Sequence, residues 1–294
     1  LLARALASLR AQSLDPARFE VVVVDNSPDG AAAAAVAAEY AGTPGLTYLL
    51  EPRPGLSHAR NIGAAAARAP ILHYMDDDAE AEPGALAALL DAFAALEADA
   101  VGGRIVPLWP APRPPWLSDG LLGYLSVVDW GGAARLLAEG EWLAGANIAF
   151  RRAALEAAGG FSTSLGRTGG GVTLLSNEES DLLARIATRG GRIGYAPEAV
   201  VHHHIDAARL RPEWFRRRAA WQAVSEFIQD PACAAASGPA AWEGLIDILV
   251  AMPADQRNLH GLAADTDDPA RFADQVHGIH RLTTALLSGL RDGG

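Results

Sequence analysis

The 294-residue chain contains little cysteine and few aromatic residues, and its acidic residues outnumber its basic ones. The single cysteine, Cys233, cannot form an intramolecular disulfide, which excludes a disulfide-stapled secreted scaffold and agrees with a reducing, cytoplasmic compartment. The formal net charge of -11 disfavours non-specific binding to DNA or RNA, because such binding needs basic residues that displace counterions from phosphates. We therefore predict a cytoplasmic protein without a nucleic-acid partner.

Long apolar segments are also missing. No stretch approaches the roughly 18–20 consecutive apolar residues that cross a bilayer, and the first residues lack the basic segment and cleavage site of a signal peptide. Hydrophobic residues nevertheless make up 50% of the chain and charged residues only 20%, which is typical of a globular protein. We expect one large domain with an appended piece.

Short apolar and β-branched runs alternate with segments of helical pattern along the first two thirds of the chain. The predicted strands cover residues 19–24, 46–50, 71–75, 101–106, 142–150, 193–196 and 199–202. The predicted helices cover residues 31–40, 57–68, 83–97, 152–158 and 178–189. This alternation predicts an α/β domain with a mostly parallel central sheet over residues 1–205, and a helical extension over residues 206–294. Because residues 1–10 already have a helical pattern, we expect the first strand of the sheet to lie upstream.

Three consecutive carboxylates, Asp76, Asp77 and Asp78, follow the apolar strand predicted at residues 71–75. In extended backbone, side chains alternate between faces, so Asp76 and Asp78 point the same way. Carboxylates gathered at the end of a parallel strand repel one another unless a cation such as Mg²⁺ or Mn²⁺ binds them together with a substrate phosphate. The alternative is a solvated acidic turn that precedes the helix predicted from residue 83.

Two further segments carry chemistry suited to a nucleotide. Asp25 ends the first predicted strand, where a carboxylate can accept hydrogen bonds from a ribose or base, although an Asx turn with Asn26 and Ser27 is equally open. Gly55 opens a predicted helix that contains Arg60, whose planar guanidinium suits a phosphate. The alternative is that Arg60 is an ordinary surface residue.

These segments, together with two later ones, resemble the successive motifs of the family 2 glycosyltransferases of the GT-A fold. The matching segments are VDNSPDG at 24–30, GLSHARNIG at 55–63, YMDDD at 74–78, GANIAFRR at 145–152 with GGF at 159–161, and NEESDL at 177–182. Their order and spacing agree with the family over about residues 1–205. The resemblance implies a Rossmann-like GT-A fold and an inverting transfer from a nucleotide-diphosphate sugar to a hydroxyl acceptor.

The resemblance also assigns residues to parts of such a site. It implies metal ligation by Asp76, Asp78 and His203, donor binding by Asp25, Asn26, Ser27, Arg60, Asp76 and Asp77, and an acceptor side with Asn147 and Asp181. Trp116 lies outside the matching motifs and is a further acceptor-side candidate because of its ring. The catalytic base would be Glu179, with Glu178 as the second candidate, and the metal would be Mg²⁺ or Mn²⁺. A tryptophan such as Trp116 can stack on a sugar ring, but large aromatic residues also pack in cores.

The match at Glu179 departs from the family in one respect, because the family usually has Asp at this position. Glu is one methylene longer, so either the acceptor lies slightly farther away or Glu178 takes the role. A purely structural use is also open, because Ser176 and Glu179 have the S-x-x-E spacing of a helix capping box.

The predicted activity is therefore sugar transfer in cell-envelope polysaccharide synthesis, with a UDP-sugar favoured as donor and a saccharide or lipid-linked acceptor. A sugar-nucleotide nucleotidyltransferase and a non-catalytic binding module of the same fold are the alternatives. The segment from Trp214 to Trp221, which includes three arginines, predicts either peripheral contact with the inner face of a membrane or a solvated helix. The oligomeric state is left open.

Overall fold

The computed structural model describes residues 1–27, 30–40, 45–168 and 173–289. Pro28 and Asp29 of the first motif, and Gly169 to Gly171 of a glycine-rich segment, lie outside these residues. The helices are α1 Leu2–Arg10, α2 Ala31–Glu39, α3 Leu56–Ala66, α4 Ala85–Ala95, α5 Arg152–Ala157, α6 Glu178–Thr188, α7 Pro212–Gln229, α8 Pro231–Ala236, α9 Gly238–Ala251 and α10 Pro269–Gly289. The strands are β1 Val21–Asp25, β2 Leu46–Leu50, β3 Ile71–Tyr74, β4 Ala79–Ala81, β5 Ala100–Leu108, β6 Arg135–Leu136, β7 Ile148–Arg151 and β8 Ile193–His204.

The strands form two sheets. β1 and β2 pair in parallel, and the larger sheet has the order β3-β7-β5-β8-β4 with β6 added to β8. β5 and β8 are parallel over their length, whereas β7 is antiparallel to both β3 and β5. β3, β5 and β8 therefore share one direction, and they are the strands that supply most of the sheet. This confirms the predicted α/β class with a mainly parallel central sheet.

Three predicted strands differ from the structure. Residues 142–150 are not one strand, because Gly145–Asn147 forms a 3₁₀ turn and β7 begins only at Ile148. Residues 193–196 and 199–202 are not two strands but parts of the single strand β8, which continues through Pro197. Proline has no N–H for the ladder, and the pairing with β5 shifts register there, between Gly103 and Arg104.

The chain divides into two compact units. The first comprises Leu1–Leu108, Ser126–Gly169 and Glu178–His204. Its core lies around the large sheet, where Ile148, Phe150 and Tyr195 are fully buried. Burial of such side chains is the main favourable term in folding, at roughly 1.5–3 kcal/mol each.

The second unit comprises Trp109–Leu125, Gly170–Asn177 and Ile205–Gly294 and holds the helices α7 to α10. It confirms the predicted helical C-terminal region. Its core includes Phe215 and Phe272, whose rings contact the ring of Trp116 at centroid distances of 5.5 and 4.6 Å. Among the described residues of the whole chain, no helix combines the length and the apolar character needed to cross a membrane.

Two of the three arginines on α7 are engaged inside this second unit. Arg216 donates hydrogen bonds to the Ala264 carbonyl and to Gln275. Arg218 is buried over the ring of Tyr124. These arginines do not form the continuous basic surface that membrane contact would use, and the predicted membrane contact gains no support from them.

Candidate active site

The first cluster of predicted site residues lies where β3 ends and β4 begins. Asp76, Asp77 and Asp78 connect the two strands, and β4 pairs with β8 so that Ala79 faces His203. The N–H of His204 donates to the carbonyl oxygen of Asp78. This pairing brings the Asp78 carboxylate to 3.4 Å from Nε2 of His203, although the two residues are far apart in sequence.

Arg60 lies at the centre of a second group of charged side chains. Its Nη1 donates to Oε1 of Glu178 at 2.9 Å and to Oε1 of Glu179 at 3.1 Å, and its Nη2 lies 3.5 Å from Oδ1 of Asp76. Burial by itself would lower the pKa of Arg60, but the charges of Glu179, Glu178 and Asp76 raise it above its usual value. Arg60 thereby joins the end of β3 to the first turn of α6.

The side chain of Arg60 is only 6% exposed, and its guanidinium also lies over the ring of Phe161 at 5.3 Å. The surface-residue alternative is therefore wrong. The contact with a nucleotide that the sequence predicts for Arg60 stays a prediction, since the guanidinium is already shared among three carboxylates.

The first turn of α6 carries three acidic residues, a placement that the helix dipole favours. Glu178 is almost completely buried, and this burial together with the negative charge of Glu179 raises the pKa of Glu178 to about 7, against the opposing effect of Arg60. Glu179 is more open, with 15% of its side chain exposed. Its Oε1 accepts from the N–H of Gly145 at 2.8 Å as well as from Arg60, which is not the pattern of a capping box.

The residues that end β1 form a turn of their own. Oδ1 of Asp25 accepts from the N–H of Ser27, and Oδ2 accepts from the hydroxyl of Tyr48. Burial raises the pKa of Asp25, but the hydrogen bonds from Ser27 and Tyr48 outweigh it and lower the pKa overall. The Asx turn that the sequence left open is thus present, and Tyr48 is a partner of Asp25 that no sequence pattern indicates.

Asn26 links this turn to the segment that leads into α3. Its amide nitrogen donates to the carbonyl oxygens of Glu51 and Arg53, and its side-chain oxygen accepts from the N–H of Gly55. Asn26 therefore fixes the entry to the helix that carries Arg60. A role of Asp25, Asn26 and Ser27 in nucleotide binding stays a prediction.

Asn147, which the sequence places on the acceptor side, uses its whole amide inside the fold. Its Nδ2 donates to the carbonyl oxygens of Arg104 and Ala199, and its Oδ1 lies 3.0 Å from Nε2 of His73. Burial lowers the pKa of His73 to about 4, so this ring is neutral at neutral pH. Asn147 thus braces the register shift between β5 and β8, and its acceptor contact stays a prediction.

The other two residues predicted on the acceptor side are also engaged. Asp181 pairs with Arg185 one turn later in α6, and Arg185 in turn donates to the carbonyl oxygens of Ala158 and Gly160. Trp116 is a core residue of the second unit, with 7% of its surface exposed. The contacts of Asp181 and Trp116 with an acceptor stay predictions.

The residues after β3 could supply part of the coordination shell of a divalent cation. In the described ranges, no group of three or more His, Cys, Asp or Glu side chains converges on one point. The pair of Asp78 and His203 offers one oxygen and one nitrogen, and Asp76 lies two residues before Asp78 on the same connection. Mg²⁺ is commonly held by only one or two carboxylates together with substrate phosphates and water, and imidazole suits transition metals. This donor set fits a metal that binds together with a diphosphate.

The sequence is similar to a known protein family and to individual glycosyltransferases and polysaccharide-biosynthesis proteins. Residues 1–125 match the family described as Glycosyl transferase family 2. A glucosyl-dolichyl phosphate glucuronosyltransferase of Haloferax volcanii is 31% identical over 178 residues, which are 60% of this chain and 56% of the relative. The succinoglycan biosynthesis protein ExoM of Rhizobium meliloti is 29% identical over 222 residues, which are 74% of this chain and 67% of the relative. The chain thus spans little more than half of the first relative.

Comparison of folds agrees with the sequence. The mannosyltransferase PcManGT of Pyrobaculum calidifontis, solved in complex with GDP-Man and Mn²⁺, superposes with a TM-score of 0.53 at 21% identity. The match covers 100% of this chain and 72% of that one. At this identity the likeness shows the fold alone, and it confirms the GT-A architecture. Residues 1–125 are thus similar to glycosyltransferase family 2, and the chain has the GT-A fold.

Proposed function

We propose that the chain transfers a sugar from a nucleotide-diphosphate sugar to a hydroxyl acceptor, with inversion at the anomeric carbon. The observation that carries the proposal is the guanidinium of Arg60, which contacts Asp76 after β3 and both glutamates of α6. The same short connection after β3 also carries Asp78, which lies beside His203. The first unit therefore brings the acidic connection after β3, which suits a metal-bound diphosphate, close to Glu179, which can accept a proton. Arg60 joins the two.

Glu179 is the catalytic base in this proposal. Direct displacement at the anomeric carbon requires a carboxylate that takes the proton of the acceptor hydroxyl. Glu179 is partly exposed, whereas Glu178 is sealed from solvent and the raised pKa of Glu178 keeps a large fraction of it protonated near pH 7. A protonated, inaccessible carboxyl is a poor base, so Glu179 is the better of the two.

Asp78 and His203 would hold the divalent cation, with Asp76 beside them. When bound, such a cation supplies positive charge that stabilises the leaving diphosphate. Asp25, at the end of β1, would accept hydrogen bonds from the nucleoside, and its lowered pKa keeps it ionised for this purpose. We favour a UDP-sugar as donor.

The names of the relatives suggest two kinds of acceptor. One relative acts on a glucosyl-dolichyl phosphate, and the other belongs to the biosynthesis of the polysaccharide succinoglycan. We therefore propose a saccharide or lipid-linked hydroxyl acceptor on the cytoplasmic side of the cell envelope. Parallel reactions with water-soluble oligosaccharides and with polyprenyl-phosphate-linked sugars in detergent will separate the two kinds.

The test is a product assay with purified protein, Mn²⁺ and a panel of UDP-, GDP- and dTDP-sugars. Release of the nucleoside diphosphate together with a glycosylated acceptor is expected, and Glu179→Gln should lower its rate by about 10²- to 10⁴-fold. Glu139→Gln is the matched control, because Glu139 is an exposed glutamate of the same unit. Release of pyrophosphate from a nucleoside triphosphate and a sugar phosphate would instead indicate a nucleotidyltransferase. Tight nucleotide-sugar binding without turnover across all acceptors would indicate a binding module.

A further inference from the structure

Gly145 is a buried residue that lies against both Arg60 and Glu179. It begins the 3₁₀ turn that precedes β7, and its N–H donates to Oε1 of Glu179 at 2.8 Å. The same oxygen accepts from Nη1 of Arg60 at 3.1 Å. One backbone donor and one cationic donor therefore converge on a single oxygen of the carboxylate, and hydrogen bonds to charged groups are stronger than neutral ones.

The space at Gly145 admits no side chain. A Cβ placed on this residue would lie 1.9 Å from Nη2 of Arg60 and 2.2 Å from Oε1 of Glu179. Contacts below 3.0 Å essentially never occur for a real Cβ, so either the guanidinium or the carboxylate would have to move. The φ angle of Gly145 lies outside the left-handed region, so the requirement for glycine comes from space and not from backbone conformation.

Oε2 of Glu179 remains available to a substrate. In the described part of the chain, both hydrogen bonds to this carboxylate go to Oε1, and none goes to Oε2. A carboxylate held at one oxygen has its rotation about the terminal bond fixed, which aims the other oxygen in one direction. This arrangement matches what a base needs, since proton transfer requires the acceptor oxygen within about 2.6–3.2 Å of the donor.

We propose that Gly145 is a positioning residue: its bare Cα allows Arg60 and the backbone N–H to fix Oε1 of Glu179, so that Oε2 meets the acceptor hydroxyl. The inference rests on the proposed function. In the step, the O–H bond of the acceptor breaks and its proton goes to Oε2 of Glu179. The acceptor oxygen forms the new bond to the anomeric carbon, and the bond to the diphosphate breaks with its electron pair on the leaving oxygen.

Kinetics of Gly145→Ala separate positioning from a general loss of structure. A displacement of about 1 Å at a reacting group costs on the order of 10²-fold in rate, so kcat should fall by about that factor while the donor KM changes by less than about threefold. Gly132→Ala is the matched control, because a Cβ there meets nothing within 4 Å. An unchanged kcat, or a loss that appears only in the donor KM, would overturn the inference.

A double variant sharpens this result. In Gly145→Ala/Glu179→Gln the base is already absent, so the alanine should cause no further loss beyond that of Glu179→Gln alone. Losses that multiply would show that Gly145 acts on something other than Glu179, and the inference would fail.

Crystal structures decide the inference even if the wild-type protein transfers no sugar, in which case only the proposed function falls. Wild-type crystals soaked with Mn²⁺ and UDP, and separately with Mn²⁺ and GDP, should keep the hydrogen bond between the N–H of Gly145 and Glu179. In Gly145→Ala the carboxylate of Glu179 should lie out of hydrogen-bond range of that N–H. A wild-type Glu179 rotated away from Gly145, or an undisturbed contact in the variant, contradicts the inference. The wild-type soak remains decisive if the variant does not fold.

Discussion

The guanidinium of Arg60 and the carboxyl of Glu178 meet inside the protein, with 2.9 Å between Nη1 and Oε1 and side chains only 6% and 4% exposed. Among the described residues, Oε2 of Glu178 has no hydrogen-bond partner. Such a pair gains Coulomb energy but loses the hydration of both ions, so the net gain in stability is small. Its significance is geometric, because Arg60 also contacts Glu179 and Asp76.

The first prediction concerns the loss of this central cation. Arg60→Met should lower the free energy of unfolding by about 3–5 kcal/mol, because it leaves buried carboxylates without a compensating charge. Arg68→Met is the control: Arg68 pairs with Glu20 at the surface with 80% of its side chain exposed, and we expect a loss of about 1 kcal/mol or less. Urea unfolding followed by circular dichroism measures both. Equal effects for the two variants would contradict the buried network.

The second prediction concerns pH. Glu178 has a pKa of about 7 in the folded protein against an ordinary value of 4.5, so between these pH values the folded state holds a proton that the unfolded state has lost. Stability from this group is therefore complete below about pH 4.5 and decreases as the pH rises through 7. Relative to Glu178→Gln, which cannot titrate there, the wild type should lose up to about 3 kcal/mol across this range. Denaturant unfolding of both proteins at half-unit pH steps measures the difference, and parallel curves would exclude the raised pKa.

The local parts of the fold could be predicted from the sequence. Strand β2 is predicted with its observed bounds, and β1, β3 and helices α1 to α4 are predicted to within a few residues, because their apolar patterns are continuous. The short strand β4 is not predicted, because only three residues follow the acidic run before the chain turns toward α4. The carboxylates after β3 could likewise be placed at a strand end. The resemblance to a family, carried by short motifs in fixed order, supplied the GT-A fold.

The pairing of distant segments could not be predicted from the sequence. β7 lies between β3 and β5 and antiparallel to both, and nothing in residues 148–151 indicates those neighbours. Arg60 meets Glu178 across 118 positions of sequence, so its pattern on α3 suggested a phosphate or the surface instead of a buried network. His73 was missed, although a polar residue inside the apolar run of β3 is a signal that a buried partner is needed.

The third prediction concerns the metal. His203→Ala should weaken Mn²⁺-dependent binding of UDP by roughly 10- to 100-fold, because removal of a group that orients or ligates a metal typically has that effect. His202→Ala is the matched control, since His202 pairs with Glu82 and is the adjacent residue on β8. Isothermal titration calorimetry with UDP, with Mn²⁺ and with EDTA, measures the difference. If both histidine variants bind UDP equally well in Mn²⁺, His203 does not take part in the metal site.

The fourth prediction decides what Asn147 does. Its amide satisfies the carbonyl oxygens of Arg104 and Ala199 and faces His73, so Asn147→Leu, which keeps the branching of the side chain, leaves buried polar groups without partners. Unsatisfied buried groups cost about 1–3 kcal/mol each, so we expect the free energy of unfolding to fall by at least ~2 kcal/mol. Urea unfolding measures the loss, and NMR titration of the His73 ring should show its environment change as well. If Asn147→Leu keeps the wild-type stability but raises the acceptor KM, then Asn147 contacts the acceptor and the brace between β5 and β8 is not its function.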